Sequence, residues 1–264
     1  MLDKQLIAKS FSRAATTYDS VADLQRRVGQ QLLTYLPTMP ADNIVDNVVD
    51  LGCGTGFFSS TLQTVFSDSQ LIGLDLAEGM VAFASNRSEY GSWLCGDAEN
   101  LPLAENSIGI IFSSLAIQWC EDSDALFSEV FRVLKPGGSF VFSTLGPATL
   151  HELRNAWCSV DNYIHVNRFV EQSVLVESII RAGFSAENVR GRLTEDYITL
   201  EYDALKHLTR ELKSLGAHNI NNGRPVGLTG KHRVRAFKDA YEQQRNEQGM
   251  LPATYQVWYG VLEK

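Results

Sequence analysis

Three alternating glycines behind a strand that ends in an acid are the residues of this chain best suited to holding a ligand. The run is Val48-Val49-Asp50-Leu51-Gly52-Cys53-Gly54-Thr55-Gly56. Glycine lets backbone approach a bound molecule with no Cβ in the way. Phe58, Leu62, Val65 and Phe66 follow at helical spacing, so the unit reads as strand, Gly-rich turn, helix. That unit is the ligand-binding corner of a Rossmann-like sheet. A dinucleotide fingerprint has the spacing G-x-G-x-x-G. Here the third glycine comes one residue early, and Asp50 stands before the first.

Two further acids sit at strand ends. Leu71-Ile72-Gly73-Leu74-Asp75 is an apolar strand closed by a carboxylate, where a Rossmann unit presents its ribose-binding acid. A carboxylate there accepts from both ribose hydroxyls. Trp93-Leu94-Cys95-Gly96-Asp97-Ala98 repeats the pattern in a third, shorter strand. A lone Asp in such a place more often caps a helix. Three at successive strand ends behind one Gly-rich turn favour a ligand. Cys53 lies inside the turn and reads better as a small side chain beside that ligand than as a nucleophile. Asp50, Gly52, Cys53, Gly54, Gly56, Asp75, Leu76, Met80, Asp97, Ala98 and Ser113 are the candidate cofactor-binding residues of the core.

The elements that must position these groups alternate along the chain. Before the first strand, Leu2, Leu6 and Phe11 form a weak helical stripe, and Leu24, Val28, Leu32 and Leu36 a cleaner one. Ser20 with Asp23 suggests a capping box ahead of the second helix, and Pro37 and Pro40 close the section. Strands follow near 48–51, 71–75, 93–95 and 108–113. A helix over 124–134 is stopped by Lys135-Pro136-Gly137-Gly138, and a strand over 139–144 comes next. This order implies an α/β fold, a mostly parallel sheet with helices on both faces. Later helices carry Leu150, Leu153, Trp157 and Val160; then Val174, Leu175, Ile179 and Ala182, ended by Gly183; then Tyr202, Leu205, Leu208, Leu212 and Leu215. A strand near 197–200 precedes the last of these. Asn219–Gly223 reads as a loop, Thr229 as the cap of a helix with Val234, Phe237 and Tyr241, and 254–262 as a final strand.

The 264 residues, 44% apolar and 20% charged, are ordinary for a globular chain. No apolar run approaches a membrane span, and the start does not read as a signal peptide, so a cytoplasmic place with no membrane partner is expected. Four cysteines without a C-x-x-C pair fit reduced thiols. Five scattered histidines give no metal-ligand spacing, so no metal is expected. The net charge of −8 argues against nucleic-acid binding. Yet residues 206–235 carry seven lysines and arginines against Glu211 alone. A solvated helix face is the plain explanation for such a run.

The Gly-rich turn resembles motif I of the class I methyltransferases, which bind S-adenosylmethionine. Residues across the chain narrow the resemblance to the malonyl-[acyl-carrier protein] O-methyltransferases of biotin synthesis. They are Phe11-Ser12-Arg13-Ala14-Ala15 with Tyr18-Asp19 and Ala22-Asp23-Leu24-Gln25, and Ser114-Leu115-Ala116-Ile117-Gln118-Trp119-Cys120. Thr144-Leu145, Glu152-Leu153, Ala156-Trp157, Val160-Asp161, Asn167-Arg168-Phe169, Leu212–Ala217 and Thr254-Tyr255 continue it. Val170–Tyr197 and Arg224–Leu251 add little.

The resemblance implies a seven-stranded sheet whose last strand is antiparallel and inserts beside the fifth. It implies one methyltransferase domain: an N-terminal helical lid over 1–40, a cofactor half over 41–145 and a substrate half over 146–264. The implied reaction moves a methyl group to the carboxylate of malonyl-acyl carrier protein, with S-adenosylhomocysteine as by-product. A malonyl carboxylate is already ionised at neutral pH, so no acid–base residue is assigned. Asp97 and Ala98 would face adenine, and Tyr18 and Gln25 would close over the sulfonium. Tyr18, Gln118, Trp119 and Arg168 would position the acceptor, with Arg168 as a bidentate clamp on its carboxylate or else paired to an internal acid. Lys206, Arg210 and Lys213 share a helix face that would dock an acidic carrier protein. A quinone C-methyltransferase, an NAD-dependent oxidoreductase and a non-catalytic S-adenosylmethionine-binding protein are the alternatives.

Overall fold

The computed structural model describes residues 3–37, 46–190, 193–217 and 230–264, without the side chains of Asn188 and Arg190. Leu2, Pro40, the loop at Asn219–Gly223, Arg224 and the cap at Thr229 lie outside the described residues.

The strands are β1 (Asn47–Leu51), β2 (Gln70–Asp75), β3 (Ser92–Cys95), β4 (Ile108–Ser114), β5 (Leu134–Leu145), β6 (Leu193–Tyr202) and β7 (Leu251–Glu263). They form one sheet in the order β3-β2-β1-β4-β5-β7-β6. The first five pair in parallel, and β7 runs antiparallel to both β5 and β6. The chain steps outward from β1 to β3, then returns to β4 on the other side of β1. Their C-terminal ends therefore diverge at a switch point, where open α/β sheets bind ligands.

Among the described residues ten α-helices flank the sheet: α1 (Lys4–Ala14), α2 (Asp23–Leu33), α3 (Ser59–Val65), α4 (Glu78–Arg87), α5 (Ser123–Val133), α6 (His151–Cys158), α7 (Gln172–Ala182), α8 (Ala186–Arg190), α9 (Leu205–Ser214) and α10 (Lys231–Glu242). β1 and β4 are buried almost throughout because both faces are covered. On one face Val28 and Leu32 of α2, Leu62 of α3 and Tyr241 of α10 share a core with Phe112 and Val141. On the other, Phe127 and Val130 of α5 and Ile179 of α7 pack with Ile111 and Phe140.

The structure departs from the sequence reading at several local points. In α1 the inward residues are Ile7 and Ala14, one heptad apart, and Leu6 is 40% exposed. Leu6 lies about 100° round the helix from Ile7, so both cannot face the core. Val65 likewise faces water while Leu62 is fully buried. No capping box forms at Ser20: its Oγ donates to the Thr17 carbonyl, and Asp23 accepts from Arg26. Ala22 is the residue that precedes α2, without a side-chain cap.

Lys135–Gly138 does end a helix, but it belongs to β5. The register jumps from Ile108 opposite Leu134 to Ile110 opposite Ser139, so the segment bulges out of the ladder. Gly137 supplies the positive φ of +77° and donates its N–H to the Lys264 carbonyl. Tyr202 ends β6 instead of entering α9, and the short α8 has no counterpart in the sequence reading.

Candidate active site

The Gly-rich turn is built by backbone. Gly52, Gly54 and Gly56 have φ of +72°, +52° and +73°, the left-handed region. The N–H groups of Gly52 and Cys53 both donate to the Leu74 carbonyl, pinning the turn to β2. A Cβ on Gly52 would meet the Ala116 Cβ at 2.2 Å, and one on Gly56 would meet Trp93 at 2.9 Å. At Gly54 a Cβ would meet nothing within 4 Å, so this glycine alone opens on free space.

Beside it, Asp75 Oδ2 accepts the Gly54 N–H at 2.9 Å and Oδ1 the Ala77 N–H at 2.8 Å. Burial pushes this carboxyl up, against the pull of those two N–H groups. Each oxygen keeps a further lone pair for a ligand hydroxyl. Asp75 lines a pocket of about 110 Å³ with Gly52, Gly54, Leu76, Met80, Asp97 and Ala98. Such walls fit a nucleoside: a paired acceptor for its sugar, an acid for an exocyclic amine, apolar surface for a base.

Lys4 of α1 also reaches this pocket, an arrangement with no signal in the sequence. Its Nζ lies 2.6 Å from Asp97 Oδ2 and 2.8 Å from Glu99 Oε2. Ser12 accepts the Gly79 N–H at 3.0 Å, and Asp19 accepts from Thr55 at 2.6 Å while pairing with Arg87. The N-terminal segment is thereby tied to the Gly-rich turn, to α4 and to the loop after β3. Tyr18 stands between these ties. Burial, with Asp75 and Asp19 nearby, raises its phenol far above the ordinary value and keeps it neutral.

Asp50 is buried and accepts the Ser59 hydroxyl at 2.5 Å. Burial pushes its carboxyl up to about 7, the Ser59 bond opposing and the Asp75 charge adding. A folded-state value above the unfolded one means that the unfolded chain gives up its proton first as pH rises. Stability from this group therefore falls from about pH 4 to about pH 7. Asp50→Asn keeps an acceptor for Ser59 and removes the titration. The variant should gain melting temperature relative to wild type as pH is raised through that window. A constant difference between the two melting curves at every pH would refute it.

Two expectations for the core need correction or refinement. Ser113 is fully buried and donates to the Leu51 carbonyl, and it is not among the residues that line the pocket at this corner. Successive strand residues face opposite ways, and Ser114 is the one on the pocket wall. Cys53 is buried beside Asp50, and burial first, then the Asp50 and Asp75 charges, raise its thiol well above the usual value. That environment makes a poor nucleophile.

A larger cavity of about 300 Å³ adjoins the first, and Phe11, Tyr18, Leu115 and Trp119 line both. Its walls are mostly apolar, among them Leu24, Leu145, Leu153, Trp157, Leu212 and Phe237. Gln118 faces it with Nε2 donating to the Leu115 carbonyl at 2.6 Å, and Trp119 packs edge-on against Phe11. Gln25 also lines it, and its Oε1 is buried with no hydrogen-bond partner.

Arg168 does not reach this cavity. His165, Asn167 and Phe169 line it, whereas Arg168 is exposed. Val166, buried between them, lines it too, so of residues 165–169 only the arginine stays off the wall. His165 is one of several polar wall residues without a signal in the sequence, because its partner Asp161 and its stacking neighbour Trp157 come together only in the fold. Lys206, Arg210 and Lys213 are all exposed on α9, with Leu205 and Leu208 buried beneath.

Residues 49–142 match the family described as a methyltransferase domain. The chain is 40% identical over 267 residues to a malonyl-[acyl-carrier protein] O-methyltransferase of Hahella chejuensis, covering 100% of this chain and 91% of that one. It is 50% identical to the biotin biosynthesis bifunctional protein BioHC of Cellvibrio japonicus, over 100% of this chain and 51% of the relative. The chain thus spans about half the length of the bifunctional relatives it matches. A solved putative methyltransferase from Bacillus halodurans superposes with a TM-score of 0.60 at 16% identity, covering 89% of this chain and 97% of that one. At that identity the likeness is one of fold, and the fold is that of the class I methyltransferases.

Proposed function

The chain belongs to the malonyl-[acyl-carrier protein] O-methyltransferase family, and on that premise we propose that it methylates the free carboxylate of a malonyl thioester on acyl carrier protein. The product is the malonyl methyl ester that primes synthesis of the pimeloyl precursor of biotin. The observation that carries this reading is the meeting of two unlike cavities at Tyr18, Leu115 and Trp119. One is walled by acids suited to a nucleoside, the other by apolar side chains suited to an acyl group.

S-adenosylmethionine, when bound, supplies a methyl group activated by its sulfonium charge. In this reading Asp75 takes the ribose hydroxyls, Asp97 and Ala98 the adenine edge, and Leu76 and Met80 the apolar walls. The turn at Gly52–Gly56, backed by Asp50, lets the backbone approach. The acceptor is ionised at neutral pH and requires no base. What the chain supplies is alignment and exclusion of water, which would otherwise solvate the attacking oxygen. Tyr18 and Trp119 border the junction, and Gln25 and Gln118 line the larger cavity beside it, so that neutral groups orient the acceptor without competing for the methyl group. Residues 1–40 act as the lid. Among the described residues no helix is long and apolar enough to cross a membrane, and the reading puts the chain in the cytoplasm with its carrier protein and no nucleic-acid partner.

Incubation with methyl-labelled S-adenosylmethionine and malonyl-loaded carrier protein tests this directly. Label should appear on the malonyl group and be lost on esterase treatment. Label on a quinone instead, or no transfer to the malonyl protein, would refute it.

A further inference from the structure

The acceptor proposed above brings a negative charge into a cavity that offers it little. Among the described residues lining that cavity there is no lysine or arginine, and Glu211 adds an acid. An unpaired charge in such a place is costly. Among those described residues His165 is the one able to carry positive charge.

His165 lies outside helix and strand, yet its ring is packed on an aromatic face and bonded to an acid. Its ring stacks on Trp157 at 3.7 Å between centroids and 6° between planes, and Trp157 stacks in turn on Phe237. Its Nε2 lies 2.8 Å from Asp161 Oδ1, and both side chains are close to nine-tenths buried. Asp161 also accepts the Tyr163 N–H and pairs with Arg233 of α10, which lies over the Tyr163 ring. Burial pushes the Asp161 carboxyl up, but these three partners outweigh it and keep it ionised. An ionised carboxylate at Nε2 requires a proton on that nitrogen. Nδ1 is then the ring's remaining polar atom, an acceptor when the ring is neutral and a donor when it is protonated.

We propose that His165, as an imidazolium backed by Asp161, binds the acceptor carboxylate through Nδ1–H. The proposal rests on the reading that the acceptor is a carboxylate. One carboxylate oxygen accepts from Nδ1 and the other remains free to attack. Charged groups around the ring divide in sign. Asp161 and, across the cavity, Glu211 favour protonation, and Arg233 opposes it. The binding-competent form is the protonated one, so kcat/KM for the acceptor falls as pH rises past the imidazolium's range.

Initial rates with malonyl carrier protein and saturating S-adenosylmethionine, from about pH 6 to about pH 9, test this. His165→Gln should raise the acceptor KM about tenfold, the scale of one charge-assisted hydrogen bond. Its kcat and its S-adenosylhomocysteine affinity should hold, and its alkaline fall in kcat/KM should vanish. Asp161→Asn removes the anion and should displace the fall to lower pH, while Arg233→Gln should displace it upward. Opposite displacements by two neighbours of one ring would not arise from loosened packing. Arg168→Gln should behave as wild type. The proposal is overturned if His165→Gln keeps the wild-type KM and pH profile, if the two neighbours shift the fall the same way or not at all, or if Arg168→Gln shows the KM rise instead. Failure of wild-type enzyme to methylate the malonyl group would refute the functional reading itself, a separate result from these.

Discussion

Asp75→Ala should weaken binding of S-adenosylhomocysteine about 10- to 150-fold, corresponding to about 1.5–3 kcal/mol for hydrogen bonds to a charged group. Both carboxylate oxygens are engaged by backbone, at Gly54 and Ala77, so the group is held rigidly before any ligand arrives. That preorganisation is what the substitution removes, together with the charge. The same two N–H groups lose their acceptor in the variant, and the turn at Gly54 loosens. Asp75→Asn separates these contributions: it retains one carbonyl acceptor but loses the charge and forces an amide N–H toward a backbone N–H. Its affinity should fall between wild type and Asp75→Ala. Calorimetric titration of each variant, with circular dichroism to verify folding, makes the measurement. Unchanged affinity in a folded Asp75→Ala protein would remove this residue from the cofactor site.

The Gly-rich turn and the acids at the strand ends are legible in the sequence because each of these parts is local. Asp50, Asp75 and Asp97 are separated from their strands by no more than a residue or two, so finding the strand finds the acid. The topology follows from the same alternation, and the antiparallel β7 beside β5 agrees with the fold that the family resemblance implied. Errors arose where one residue of phase decides the outcome. Ser113 and Ser114 are equally polar, and only the pleat of β4 says which faces the pocket. The chemistry of Arg168 suits a carboxylate, yet the irregular stretch from Asp161 to Val170 leaves it exposed and puts His165 on the cavity wall. Nothing periodic marks such a segment, so its facing cannot be read before folding. Long-range pairs are harder still. The link from Lys4 to Asp97 joins residues 93 apart, and the stack of His165, Trp157 and Phe237 joins three elements. Neither leaves a pattern at any short spacing.

Reversing Arg210 and Lys213 to Glu should lower kcat/KM for malonyl carrier protein on the order of 10- to 100-fold at low salt, through slower association. Acyl carrier proteins present an acidic helix, and a chain of net charge −8 repels such a partner except where positive charge is concentrated. On α9 that concentration is exposed: Lys206, Arg210 and Lys213 all face solvent, above Leu205 and Leu208, which anchor the helix in the core. The helix also carries Thr209, Glu211 and Leu212 on the wall of the larger cavity. A carrier protein seated on its outer face would therefore present its thioester arm beside the cavity that receives it. Each exposed charge contributes little alone, about 0.2–1 kcal/mol, so the loss should shrink as salt screens the group. Malonyl-CoA, if accepted, lacks the acidic helix and should be spared. A salt-independent loss, or an equal loss on both acceptors, would mean that reversal disturbs the cavity wall through α9, and this face would revert to a solvated helix surface.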